Sequence, residues 1–285
     1  MLIAGCGYVG AELGRRLVAA GHQVWGLRRR PAALPAGVAL LQADLAQPAT
    51  LRDLPPRLDG VIYAAAADRG DDDAYAAIYH HGLAHLLDAL VARGQRPRRV
   101  IFVSSTSVYG QAHGEWVDES SPAEPERALS RHLLAGETLL AQSPFPGTAV
   151  RLSGIYGPGR TRLIEQVRNG HARLQGGPPA FTNRIHRDDC AGLLAHLLTL
   201  GGAQALYLGS DSDPASQDEV LRWLAAQLGI TLPPPGEAAA TDARHHSGQN
   251  KRCSNRRLLA SGYRLIYPTF REGYGALLQG HDAPQ

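Results

Sequence analysis

Leu2-Ile3-Ala4-Gly5-Cys6-Gly7-Tyr8-Val9-Gly10 sets three apolar residues ahead of three spaced glycines, and helical periodicity follows as far as Ala20. Each glycine in such a run has its own physical task. The first permits a tight turn, the second lets the backbone approach a pyrophosphate, and the third lets helix and strand pack closely. Free N–H groups and the positive end of the helix dipole then favour phosphate. Glycines can also make a tight strand–helix turn and nothing more, but a return strand at Val24 to Leu27 completes the βαβ unit that a dinucleotide loop requires. Gly5, Gly7, Tyr8, Val9 and Gly10 are therefore expected to contact a dinucleotide.

Outward from this loop the rhythm continues. Apolar runs at Val24 to Leu27, Gly60 to Ala67 and Arg99 to Ser104 alternate with helical stretches at Val9 to Ala20 and Ala74 to Ala92. Val61-Ile62-Tyr63-Ala64 and Val100-Ile101-Phe102-Val103 are continuous and apolar, as strands buried on both faces should be. The pattern predicts an α/β fold: a doubly wound parallel Rossmann sheet with helices on both faces. It is expected to occupy residues 1–150 and to be rejoined by a helix near residues 186–200. Glycine- and proline-rich stretches at Gly154 to Gly159, Gly176 to Pro179 and Pro233 to Gly236 break up the remainder. Residues 151–285 are accordingly read as mainly a small substrate lobe. Within it, Ser216 with Glu219 three residues later predicts a capped helix running to Gly229.

Composition narrows the function classes. With 285 residues, 44% of them hydrophobic, the chain can bury a large core, and a formal net charge of +3 gives no reason to expect nucleic acid as a partner. No apolar run approaches the roughly 20 residues of a membrane span, and no secretory leader is legible before the first strand. Cys6, Cys190 and Cys253 cannot all pair and lack metal spacing, so a cytoplasmic location is expected. Adjacent histidines at His80-His81 and His245-His246 lack the spacing that lets two imidazoles share an ion on a helix, so no metal is expected.

The end of the second strand bears on which dinucleotide is held. An acidic residue there usually bonds the ribose hydroxyls of NAD, whereas this chain has Arg28-Arg29-Arg30. Guanidinium groups suit an additional phosphate, so Arg28 and Arg29 favour NADP over NAD; a solvated charge run after a strand is the alternative. Asp44 and Leu45 follow the next apolar run and are placed near the adenine.

Taken together, these segments resemble the extended short-chain dehydrogenase/reductase family of NAD(P)-dependent epimerases and dehydratases. The resemblance rests on the glycine loop, Val61 to Ala66, Val103-Ser104-Ser105-Thr106-Ser107-Val108-Tyr109-Gly110, Arg151 to Gly159, and Arg184-Ile185-His186-Arg187-Asp188-Asp189. It implies that Ala64 and Ala65 also border the cofactor and that Ser105 orients a substrate hydroxyl. It further implies a Tyr acid/base and a Lys four residues on, because a phenol with pKa near 10 works at neutral pH only beside a cation. With Val117 to Pro125 and Glu137 as anchors, Leu129 falls at the Tyr position and Leu133 at the Lys position, and Tyr79 falls where the family has an Asn. The chain is thus read as an atypical member.

Two functional readings follow. In one, the protein performs NADP-linked oxidoreductase or epimerase chemistry on a small or nucleotide-linked sugar or carbonyl substrate, with acid/base work moved to His132 or Tyr79. His132 lies on the same helix about 60° from Leu129 round the axis, and Tyr79 offers a phenol; each is otherwise a surface or packing residue. In the other, the fold is kept as a non-catalytic NAD(P)-binding sensor or scaffold. Arg160, Arg184 and His186, with Ser105, are the expected substrate contacts and suit an anionic small molecule, although arginines scattered over loops would look the same. The resemblance also implies a homodimer built from the helices at Ala74 to Ala92 and Leu129 to Leu140.

Overall fold

The computed structural model describes residues 1–235 and 250–280; Gly236, the His245-His246 pair and the last five residues lie outside them. Strands β1 (Leu2–Ala4), β2 (Val24–Arg28), β3 (Val38–Gln42), β4 (Gly60–Tyr63), β5 (Arg99–Ser105), β7 (Gly147–Leu152) and β11 (Leu206–Gly209) form a seven-stranded sheet. Every pairing in it is parallel, in the order β11-β7-β5-β4-β1-β2-β3. The chain builds outward from β1 to β3 on one side, then returns to add β4 beside β1. That reversal opens the crevice at the carboxyl ends of the strands where ligands bind in such sheets.

Period-two alternation explains how both faces are filled. Leu2, Ala4, Val61, Tyr63, Val100 and Phe102 point to one side, where they pack with Leu83, Leu86 and Leu90 of α3 (Leu83–Ala92) and Leu133 and Leu140 of α4 (Ala128–Gln142). Ile3, Ile62, Ile101 and Val150 point to the other, against Leu13 and Leu17 of α1 (Tyr8–Ala19) and Leu193, Leu194 and Leu197 of α6 (Arg187–Thr199). Each buried Leu, Ile or Val among them contributes about 1.5–3 kcal/mol.

The helix expected from Ala74 is divided. Asp71 caps α2 (Asp72–Tyr75) by accepting from the N–H of Ala74 at 2.9 Å, and the turns Ala76–Gly82 then widen to a π-helical spacing before α3. Tyr79 sits in this widened stretch, a local form that often accompanies functional sites.

The expected division at residue 150 leaves out β11, which lies on the edge of the main sheet beside β7. Three short pairs stand outside the sheet: β8 (Gly154–Tyr156) with β10 (Arg184–His186), β9 (Phe181–Thr182) with β12 (Ala215–Ser216), and β6 (Glu115–Val117) with β13 (Lys251–Cys253). A third core of Tyr156, Ile164, Val167, Leu221, Leu224 and Phe270 holds α5 (Arg162–Arg168), α7 (Gln217–Leu228) and the helix Phe270–Leu278 together. Ser216 caps α7 by accepting from the N–H of Glu219, and Gly229 closes it in the left-handed region at φ 67°. Among the described residues no helix is long and apolar enough to cross a membrane, and no cluster of three or more His, Cys, Asp or Glu is placed to hold a metal ion.

Candidate functional site

A cleft of about 710 Å³ opens at the carboxyl ends of β1, β2, β4 and β5. The glycine turn forms its floor. Gly5 has φ 89°, and a Cβ there would stand 2.3 Å from the Cα of Ala65, so only glycine fits between the exits of β1 and β4. A Cβ on Gly10 would meet the Gly5 carbonyl oxygen at 2.6 Å, which sets the approach of α1 to the turn. Gly7 differs: a Cβ there would touch nothing within 4 Å, so its surface faces open cleft. Gly7 is also the N-cap of α1, and no side chain caps that end. The N–H groups of the first turn are left for a ligand.

Several expected cofactor contacts come together here. Tyr8, Val9, Arg28, Arg29, Asp44, Leu45, Ala64 and Ala65 line the same cleft as Gly5 and Gly7, while Gly10 lies beneath it. Arg29 forms an ion pair with Asp68 across the mouth; burial pushes the Cys6 thiol up to about 11, leaving it protonated at neutral pH. Over the glycine loop, the Arg160 guanidinium lies 4.2 Å from the Tyr8 ring centre and that of Arg187 lies 5.5 Å from it. The Tyr8 hydroxyl is buried with no hydrogen-bond partner among the described residues. An open glycine surface, an uncapped helix end, nearby guanidinium groups and this orphaned hydroxyl together fit a phosphate-bearing ligand.

The expected catalytic residues separate. Ser105 ends β5 with its Oγ accepting from the N–H of Ser107 at 3.1 Å, and it lines the cleft. Tyr79 lines the cleft too, its ring 5.1 Å from that of Tyr75; burial raises its pKa, so the phenol stays protonated. His132 does not line the cleft. Its Nε2 lies 2.9 Å from an Asp72 carboxylate oxygen, because its position on α4 turns it toward α2. Leu133, 4% exposed, does line the cleft, and Leu129 is half-buried outside the lining.

The expected substrate contacts also divide. A second cleft, about 760 Å³, lies in the small lobe and is lined by Arg160, Arg162, Asn183 and Arg184, with Arg160 and Ile155 shared with the first. Arg184 donates from Nη2 to Thr182 Oγ1, and its buried Nη1 has no partner among the described residues. His186 lines none of these clefts. It is 1% exposed, packs its ring on Tyr156 and Tyr267, and its Nδ1 accepts from the N–H of Asp188 at 3.2 Å to cap α6. Asp189, next along, accepts from the N–H groups of Ile266 and Tyr267 and from the Tyr263 hydroxyl, so this motif ties α6 to the C-terminal segment.

A third, smaller cleft of about 320 Å³ meets the first at Ser105 and Ser153. Its lining includes Ser107, Asn183, Asn250 and Lys251. The sequence reading left this residue 250–255 segment without a role. One signal was available: Lys251 is the one lysine among 29 lysines and arginines.

The model of the NAD dependent epimerase/dehydratase family matches residues 1–203. A solved structure described as an NAD-dependent epimerase/dehydratase from Methylobacillus flagellatus is 41% identical, covering 98% of this chain and 97% of that one with TM-score 0.82. A conserved protein of unknown function from Silicibacter pomeroyi is 31% identical over 99% of both chains, with TM-score 0.79. The 2-alkyl-3-oxoalkanoate reductase of Stenotrophomonas maltophilia is 29% identical over 252 residues, 80% of this chain and 75% of that protein.

Proposed function

Because the chain belongs to the NAD dependent epimerase/dehydratase family, we propose that it binds NADP in preference to NAD and acts on a small carbonyl or nucleotide-linked sugar substrate. The observation that carries this reading is the convergence of the open Gly7 surface, Arg28, Arg29 and Ser105 on one cleft. The fold is shared with the human epimerase family protein SDR39U1, solved with NADPH at 21% identity and TM-score 0.80. When bound, the nicotinamide would give or accept hydride.

This chain's residues would supply the rest. The Gly5–Gly7 backbone and the start of α1 would hold the phosphates, and Arg28 and Arg29 would take up the additional phosphate of NADP. Ser105 would hold the substrate oxygen. Tyr79 would be the phenol on hand for proton transfer, although burial works against its ionisation.

One observation favours the second reading, a cofactor-binding protein without turnover. Leu133 occupies the cleft wall where the family resemblance implies a lysine, and an apolar wall there offers no cation to stabilise a phenolate. Loss of an acid/base group costs about 10²–10⁴-fold, so turnover would be slow rather than absent. The readings separate in a scan for cofactor oxidation or reduction across small carbonyl compounds and nucleotide sugars. Turnover that Tyr79→Phe abolishes supports the enzyme; tight cofactor binding with no turnover on any substrate supports the sensor or scaffold.

A further inference from the structure

Lys251 is 2% exposed, yet it is among the residues that line the small cleft beside Ser105. Its place is fixed from several sides. Asn183 Nδ2 donates to the Lys251 carbonyl, Asn183 Oδ1 accepts from the N–H of Cys253, and Asn250 Oδ1 accepts from the N–H of Phe181. The parallel pairing of β13 with β6 sets Lys251 opposite Glu115. Its Nζ donates to the Tyr109 carbonyl at 3.0 Å, four residues beyond Ser105.

The composition of the cleft gives the ligand's sign. Among the described lining residues Lys251 is the sole charged group and no carboxylate is present; the others that bear polar side chains are hydroxyls and the amides of Asn183 and Asn250. Lysine itself is informative here. A chain that meets its other cationic positions with arginine keeps at this one a compact ammonium with three donors. One of those donors is engaged by Tyr109, which leaves two for a ligand.

We propose that Lys251 anchors a carboxylate of the substrate in the small cleft, with Ser105 holding the adjoining oxygen at the border with the cofactor cleft. The inference deepens the proposed oxidoreductase function and rests on it for the identity of the neighbouring cleft. Lys251 acts in it as a binding and positioning residue. Burial lowers its pKa, opposed by the nearby Cys253, Glu126 and Glu115 and reinforced by Arg127. An anion seated on the ammonium would raise that pKa again.

A single lysine makes the test direct. Protein grown with isotope-labelled lysine has one lysine side-chain resonance, which reports on Lys251 without any substitution. Malonate serves as the probe. Saturable movement of that resonance on malonate addition is expected, with its titration midpoint moved to higher pH. Lys251→Met should weaken malonate binding by about 10- to 100-fold, the worth of one charge-assisted hydrogen bond, while NADPH binds as in the natural protein. Malonate that binds without moving the resonance, or that shows no saturable binding, overturns the proposal. So does equal binding of malonate by the Met variant, or displacement of malonate by NADPH. Failure of NADPH and NADH to bind would instead strike the proposed function, and the malonate titration would still decide the role of Lys251. Should the Met variant fail to fold, the resonance in the unaltered chain settles the question alone.

Discussion

Glu137 of α4 accepts from Nε and Nη2 of Arg151 at 3.0 and 2.7 Å, and from the Ser104 hydroxyl at 2.6 Å. One carboxylate thus joins α4 to β5 and β7 directly behind Ser105. Both side chains of the pair are largely buried, at 6% and 12% exposure for Arg151 and Glu137, and the Arg151 guanidinium also lies 4.8 Å from the Tyr109 ring centre. Removing one charge leaves the other stranded. Glu137→Gln is expected to lower unfolding free energy by about 3–5 kcal/mol in a urea titration. A change below about 1 kcal/mol would mean that the pair is solvated and does not organise the site.

The glycine loop separates stability from binding. Gly5→Ala has to place a Cβ against the Ala65 backbone at φ 89°, so loss of both folding stability and cofactor affinity is expected. At Gly7 the added methyl meets open cleft, so Gly7→Ala should shift Tm far less than Gly5→Ala while still weakening NADPH binding. Thermal melts and titrations on both variants check this. Equal losses in Tm would show that the Gly7 surface is structural.

His132 pairs with the exposed Asp72 rather than facing the cleft. His132→Ala should therefore leave kcat/KM unchanged on any substrate that is turned over, and lower stability by at most about 1 kcal/mol, the worth of a polar contact to a solvent-exposed partner. Loss of turnover with normal cofactor affinity would restore it to the mechanism.

Asp211 gives a pH signature. Burial, partly offset by Arg184, raises its pKa to about 8, and its Oδ2 has no hydrogen-bond partner among the described residues. The native state thus keeps a proton that the unfolded chain has lost above its ordinary value of 3.8. Stability due to this group falls as pH rises between those values, with a limiting slope of about 1.4 kcal/mol per pH unit. Urea titrations from pH 5 to about 8 should show that decline, and Asp211→Asn should flatten it. An unaltered slope in the variant would assign the effect elsewhere.

Much of the sheet was legible because parallel strands buried on both faces are written as unbroken apolar runs, as at Val61 to Tyr63 and Val100 to Phe102. The return of the chain to the sheet edge at Leu206–Gly209 was not, since four residues after a glycine pair carry too little pattern. Nor could the pairing of Lys251–Cys253 with Glu115–Val117 be read, because it joins segments more than a hundred residues apart. In the site, the glycine loop declared itself through spacing. The places of His132 and His186 depended on which neighbours their elements meet: Asp72 for one, the Asp188 N–H and two tyrosine rings for the other. Helical angle alone does not contain that information.

The most direct test of the account is calorimetric titration of the purified chain with NADPH and NADH, repeated on the Arg28→Ala/Arg29→Ala double variant. The expected result is saturable binding of both, NADPH the tighter, with the double variant losing about 10- to 100-fold for NADPH and little for NADH. Equal losses would overturn the NADP preference, and binding of neither cofactor would contradict the reading of the glycine cleft itself.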